Sequence, residues 1–457
     1  MNKKIISVFF FSFLIFSCDM FGPSNTDPSG NFWAQDFRYN NRHYRVNAEL
    51  LWEGRHCNVW VEKGCGASAA HAKQVADEYD NKIHQQMIDI FSIKDINYAG
   101  HSFSNIIEVA DWLGDGDGKL CILLLDIKDD YIKGVNDAYI AGYFWRADLF
   151  DMANSNKRDM IYIDTRPGLE NSAELFGTLA HELQHMMNYV TTLVERSSAM
   201  DIWIDEGLSS AAEWVYSGPS ASRIDWFVYN GNKSGTMKGL LDRGNNFFVW
   251  DNHRSNHYAI LDDYATVYLF FQWLRLQAGS SGIYQEIISS KESNYKAVID
   301  AVNSYLEWNT NWETLLKTWL AANYINAPSG PYGYMNDNEL KNVKVSSSPG
   351  IGLTVTLAPG EGVYSVANTN PNTTGQGSNI KNAFLTNTLT DTYQAASVML
   401  TFNSNNNIGG ASESGATTGI PLPVSANIIP SGRSIMSAGY EPYRIGAWDR
   451  METRNDR

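Results

Sequence analysis

The chain has 457 residues, and a leader of 17 leaves about 440, enough for two or three domains at ~150 residues each and for a sizeable buried core. Its composition is 44% hydrophobic, 13% aromatic and 19% charged with 13 Pro, which is too rich in apolar and ring side chains for an intrinsically disordered chain. The formal net charge of −15, or −17 once Lys3 and Lys4 leave with the leader, sets up a field that repels phosphate backbones and argues against nucleic acid as a partner.

Met1 to Ser17 starts with Lys3 and Lys4 and continues as a nearly unbroken apolar run from Ile5 to Phe16, the pattern of a secretory signal, too short for a comfortable membrane span. Its end, Leu14 to Cys18, resembles the bacterial lipobox, although Phe16 is bulkier than the usual residue there. That resemblance implies a lipid on Cys18, a membrane anchor, and a place in the bacterial cell envelope, extracytoplasmic or at the cell surface. An ordinary cleaved signal with an incidental cysteine is the alternative. No later stretch offers ~18 consecutive apolar residues. The polar Pro/Gly/Ser run Gly22 to Gly30 fits a tether, expected over residues 18–42. Cys57, Cys65 and Cys121 leave both a Cys57–Cys65 bridge and three buried thiols open, and no CxxC pair argues for a zinc ribbon.

Trp52 to Val61 and Leu120 to Ile127 read as strands, and between them Ala69 to Phe91 has helical spacing at Val75, Tyr79, Ile83, Met87 and Ile90. Residues 43–170 are therefore expected to be α+β. Within them, Asp115-Gly-Asp117-Gly118 has carboxylates two apart, as calcium loops do. An EF-hand frame, however, puts Leu113 and Leu124 at ligand positions, so a solvated turn is favoured over a Ca2+ site. From Asn171 to Asn326 the periodicity is mostly helical, with breaks at Gly218, Gly231 and Gly279, and a helical part is expected over 171–327. Beyond Pro328, Ser, Asn, Thr and Gly dominate, and the short runs Leu353 to Leu357 and Ser397 to Phe402 alternate, predicting a small β-rich domain over 340–457. The fold class is thus α+β: a mixed sheet followed by helices, with a β-rich C-terminal domain.

Chemistry concentrates in Phe176 to Tyr189, where His181, Glu182 and His185 form an HExxH motif. A spacing of four stacks both imidazoles on one helical face, where they can share a tetrahedral metal, with Glu182 beside them to take a proton from water. Two nitrogen ligands suit zinc. Leu175, Leu179, Leu183, Met186 and Val190 make an apolar stripe on the opposite face that would bury the helix and fix the direction of the histidines. The bland alternative is a pair of surface histidines on an amphipathic helix. A third ligand is needed, and Glu206 lies 21 residues beyond His185, far enough for the helix to end and a second one to bring a carboxylate opposite. A metzincin would have Gly at 188 and His at 191; Asn188 and Thr191 exclude that subclass.

HELQHMMNY at 181–189 followed by WIDEGLSSAAEW at 203–214 resembles the gluzincin zinc metallopeptidases, and most closely the bacterial hyicolysin family. The likeness takes in Cys57 to Lys63, Ala72 to Phe91, Gly114 to Ile127, Ile140 to Phe144 and Ile161 to Thr165, hence most of residues 45–326, but not the β-rich tail. It implies a zincin-like catalytic domain with Zn2+ held by His181, His185 and Glu206, and it favours Glu206 over Glu213, which lies two turns further on the same face. Candidates to hold the ring nitrogens turned away from the metal are Asn188, Ser210 and Glu213. The resemblance also makes Tyr264 the candidate oxyanion donor, on a helix that would begin with it, with His257 and Tyr258 as rivals and a plain core role as the alternative. Gly142, Tyr143 and Phe144 are the candidate edge strand for an extended protein or peptide substrate, with Met160 to Asp164 as its inner neighbour. Two other classes compete: a surface adhesin or binding lipoprotein on a non-catalytic peptidase scaffold, against which the retained Glu182 speaks, and a glycan-binding lipoprotein using its tryptophans, which are more simply core residues.

Overall fold

The computed structural model describes residues 30–39, 42–135, 139–196, 198–220, 223–225, 227, 257–345, 347, 354–367, 372–374, 377–394 and 397–407. The signal segment with Cys18, the polar stretch before Gly30, Gly231, and the side chains of His257 and Tyr258 lie outside the described residues.

Strands β1 (Asn31–Asp36), β2 (Arg42–Glu53) and β3 (Cys57–Glu62) form an antiparallel meander. The tether expected over 18–42 is therefore corrected from Asn31 onward, where Phe32 and Ala34 alternate into an apolar cluster with Val46 and Trp60. The single strand expected over Trp52 to Val61 is also corrected to parts of two. The Gly54 N–H donates to Cys57 O at 2.7 Å and reverses the chain, and Asp80 accepts from the backbone of Arg55 and His56 at 2.5 and 2.8 Å.

The helix expected over Ala69 to Phe91 is α1 (Ala69–Glu78), a π-helical turn (Tyr79–Ile83) and α2 (His84–Phe91). Val75, Tyr79, Ile83 and Met87 are all buried. Their strict four-residue step overshoots the 3.6-residue turn, and the wider π turn takes up the excess and keeps the stripe on one face. After the hairpin β4 (Lys94–Tyr98) and β5 (His101–Asn105) comes α3 (Ile106–Leu113), capped by the Asn105 side chain accepting from Ile107 and Glu108 N–H. Strands β6 (Leu120–Leu125), β7 (Gly142–Phe144) and β8 (Met160–Asp164) are buried throughout, which explains the unbroken apolar run of β6. The sheet order is β1-β2-β3-β6-β8-β7, with β3, β6 and β8 parallel and β7 antiparallel at the edge.

Among the described residues there follow α4 (Ser172–Glu195), α5 (Ile202–Ser217), α6 (His257–Ala278), α7 (Gly282–Ser289), α8 (Tyr295–Leu306) and α9 (Trp312–Ile325). Every residue of α4 from Leu175 to Leu193 is buried, on the polar face as well as on the apolar stripe. A helix enclosed in this way must find partners for its polar side chains inside the protein. No described helix is long and apolar enough to cross a membrane.

Toward the C-terminus lie β9 (Thr354–Thr356), β10 (Gly362–Val366), β11 (Asn372–Thr374), β12 (Ile380–Leu385), β13 (Leu389–Thr390) and β14 (Val398–Asn403). They make a sheet of order β10-β14-β12-β13 and a β9–β11 pair. Tyr364, Leu385, Leu400 and Phe402 join the same apolar core as the helices, and Tyr364 Oη donates to Leu320 O of α9 at 2.7 Å. Cys57, Cys65 and Cys121 are free thiols.

Candidate metal centre and active site

Helix α4 places His181 and His185 one turn apart with ring centroids 4.9 Å from each other. The second helix, α5, packs against α4 and brings Glu206 between the two rings. His181 Nε2 lies 3.4 Å from Glu206 Oε2, and His185 Nε2 lies 3.5 Å from Glu206 Oε1. One ligand atom from each of the three side chains falls within 4.8 Å of the others, and all three residues are completely buried. Glu213, the rival third ligand, instead faces the other nitrogen of His181, Nδ1, at 3.7 Å.

Two imidazole nitrogens and a carboxylate are a donor set that suits tetrahedral zinc with a fourth position to spare. The pocket is also built to hold positive charge. Neither Glu206 oxygen meets a donor at hydrogen-bonding geometry among the described residues. Burial would lower the pKa of His185, but the Asp205 and Glu206 carboxylates outweigh it and hold the ring up to about 10. The residues present therefore fit a divalent cation.

The nitrogens turned away from Glu206 are held from α5. His185 Nδ1 faces Asp205 Oδ2 at 3.0 Å and Ser209 Oγ at 3.1 Å. Ser209 Oγ donates to Gln184 Oε1 at 2.5 Å, and Asn188 Nδ2 donates to Asp205 Oδ1 at 2.5 Å. Glu213 is gripped by the buried guanidinium of Arg223, which also donates to Ser210 Oγ. Burial alone would raise the Glu213 carboxyl, but Arg223 and then His181 hold it below its ordinary value.

Of the three residues expected around the imidazoles, Glu213 faces one, Asn188 braces Asp205, and Ser210 is turned to Arg223. Sequence reasoning missed Asp205, Ser209 and Arg223. Asp205 and Ser209 had a legible signal, since they stand four apart on the helix that carries Glu206 and thus share a face. Arg223, beyond the α5 break at Gly218, had none.

Glu182 is buried beneath the edge strand. Burial pushes its carboxyl up, the two imidazoles oppose this, and the Phe144 backbone N–H donates to it. Its Oε1 accepts no hydrogen bond from the described residues. Gly142 explains the proximity of the strand: a Cβ there would lie 2.8 Å from Thr178 Cγ2 of α4 and 2.8 Å from Tyr162 O. Tyr264 is fully buried, and burial followed by the Glu206 and Glu182 charges pushes its phenol well above the ordinary range. It does not begin its helix, as expected from sequence, but sits two turns inside α6, which starts at His257.

Gly207, next to Glu206, admits Phe271 of α6: a Cβ would stand 2.2 Å from its ring. Gly207→Ala is expected to destabilise the fold by about 1–3 kcal/mol through overpacking, read from urea unfolding; an unchanged midpoint would show that α5 and α6 can part freely. The Asp115 and Asp117 carboxylates come together with Asp111, and this is the second such acidic or imidazole group among the described residues.

A mixed sheet ending beside a helix with two histidines and a glutamate, closed by a carboxylate from the next helix, defines a metallopeptidase. The chain is 30% identical over 329 residues to the neutral metalloprotease ShpI of Staphylococcus hyicus, a match spanning 70% of this chain and 67% of that protein. The chain belongs to the metalloprotease family of that relative. No protein-family model matches it.

Proposed function

We propose that the protein is a zinc-dependent endopeptidase of the gluzincin type, hyicolysin-like, which hydrolyses peptide bonds of proteins with water. The observation that carries this reading is the convergence of both histidine Nε2 atoms on Glu206, with an oxygen of Glu182 left without a donor among the described residues. His181, His185 and Glu206 would hold Zn2+, which supplies Lewis acidity that acidifies water and polarises the scissile carbonyl. Glu182, steadied by Phe144, accepts the proton of the attacking water and returns it to the leaving amine. Tyr264, kept protonated by its surroundings, donates to the carbonyl oxygen as negative charge develops. The terminal strand β7 offers Gly142, Tyr143 and Phe144 as the backbone edge for an extended substrate.

The deciding experiment is casein hydrolysis by the purified protein with 1,10-phenanthroline, alongside metal analysis. Loss of activity on chelation, restored by one equivalent of zinc, supports the reading; chelator-indifferent cleavage overturns it. Asp205→Asn, which weakens the carboxylate behind His185, is expected to reduce zinc affinity or activity by about 10–100-fold, measured by competition with a chromogenic chelator. The leader supports a further part of the proposal: an extracytoplasmic enzyme anchored to a bacterial membrane by lipid on Cys18. Cys18→Ser should then release the protein from the membrane fraction, and an unchanged distribution counts against the anchor.

A further inference from the structure

We infer that Asp111, Asp115, Asp117 and Asp159 form a separate cation site, built for Ca2+, at the N-terminal ends of β6 and β8. Asp111 closes α3, Asp115 and Asp117 lie in the loop to β6, and Asp159 immediately precedes β8. One carboxylate oxygen from each of Asp111, Asp115 and Asp117 falls within 4.8 Å of the others.

The independent observation is Asp159. Its residue exposure is 1%, and neither of its side-chain oxygens accepts a hydrogen bond from the described residues. Asp115 Oδ1 is likewise buried without a donor. A buried carboxylate without donors is costly unless a counter-charge meets it. Burial and then the charges of Asp115, Asp111 and Asp117 push the Asp159 carboxyl well above its ordinary value, and the loop that begins at Gly114 rests on the Asp159 backbone. Arg158 supplies a counter-charge, its Nε lying 3.6 Å from Asp115 Oδ2, but one guanidinium does not balance four carboxylates.

The surrounding chain fixes these acids in place. Gly114 lets the loop rest on the Arg158–Asp159 backbone, where a Cβ would come within 2.5 Å of Asp159 N. Gly118 N donates to Asp111 Oδ1 at 2.7 Å, Lys119 N to Asp117 Oδ1 at 2.8 Å, and Asn58 Nδ2 to Asp117 Oδ2 at 3.0 Å. Each bonded oxygen keeps a second lone pair for a ligand bond. The cluster offers only carboxylate oxygens, the donor preference of Ca2+ rather than of zinc. Sequence pattern alone favoured a solvated turn because an EF-hand frame puts Leu113 and Leu124 at ligand positions, and Asp159 lies more than forty residues further along the chain. A bound ion would tie the end of α3 to the start of β8, the strand that supports both β7 and α4.

The test uses the full chain, zinc-replete and freed of other metals, titrated with CaCl2 by calorimetry and with Tb3+ by tryptophan-sensitised luminescence. One Ca2+ per chain, displacement of Tb3+ by Ca2+, and a melting temperature that climbs with CaCl2 are expected. Asp159→Asn should abolish binding and Asp117→Asn weaken it at least tenfold, both with unchanged circular dichroism, whereas His181→Ala should bind Ca2+ normally. Absence of binding up to ~10 mM CaCl2 overturns the site. So does wild-type affinity in Asp117→Asn, the variant that decides if Asp159→Asn does not fold.

Discussion

Glu182→Gln is expected to lower kcat/KM for a fluorogenic peptide by roughly 10²–10⁴-fold, while the zinc content stays that of the wild type. Glutamine matches the shape of the acid and can still accept from the Phe144 N–H, but it cannot take a proton from water. Burial pushes the Glu182 carboxyl up, which makes it a stronger base than an exposed glutamate while the two imidazoles keep that rise in check. The loss should therefore fall on kcat with KM little changed. Turnover within tenfold of wild type, in a preparation with full metal content, would remove Glu182 from the mechanism.

His185→Ala and Glu206→Ala are each expected to strip the metal and reduce hydrolysis by on the order of 10³-fold or more. Glu213→Ala makes the informative contrast. Glu206 meets the Nε2 atoms of both histidines, whereas Glu213 meets Nδ1 of His181 and the Arg223 guanidinium. Its removal should retain zinc but leave Arg223 buried beside Ser210 without its acid, so stability falls more than metal affinity does. Metal analysis and unfolding midpoints on the same three preparations distinguish the roles. Zinc retained in Glu206→Ala and lost in Glu213→Ala would exchange them.

The pair His181 and His185 could be read from sequence because their relation is local: four residues on one helix fix their direction without any tertiary information. Glu206 was legible as a distance along the chain and as a resemblance, not as a position, since only packing of α5 on α4 turns its carboxylate toward both rings. The same limit explains Ser210, adjacent in sequence to Ser209 but rotated by about 100° around the helix axis toward Arg223. Tyr264 was assigned to a helix start through the resemblance to gluzincins, whereas the helix in fact begins at His257.

At the level of the fold, apolar runs identified β6 and β8 and the four-residue steps identified α1 to α2, since those patterns record which side chains avoid water. The turn at Gly54 and the edge strand β1 escaped that reading. The hairpin is closed by Asp80, more than twenty residues further on, and β1 is stabilised by antiparallel pairing with β2, a contact that its own short alternation does not reveal. The amino-acid order by itself thus determined the local chemistry: which helix carries the imidazoles, which acid stands beside them, and which segments are apolar enough to form the core. Tertiary structure decided convergence, namely which distant carboxylate meets both rings, which groups steady them, and that Asp159 lies against a loop more than forty residues earlier. Periodicity encodes only the direction a side chain takes from its own helix or strand, whereas a site needs several such directions to meet, and packing alone supplies that.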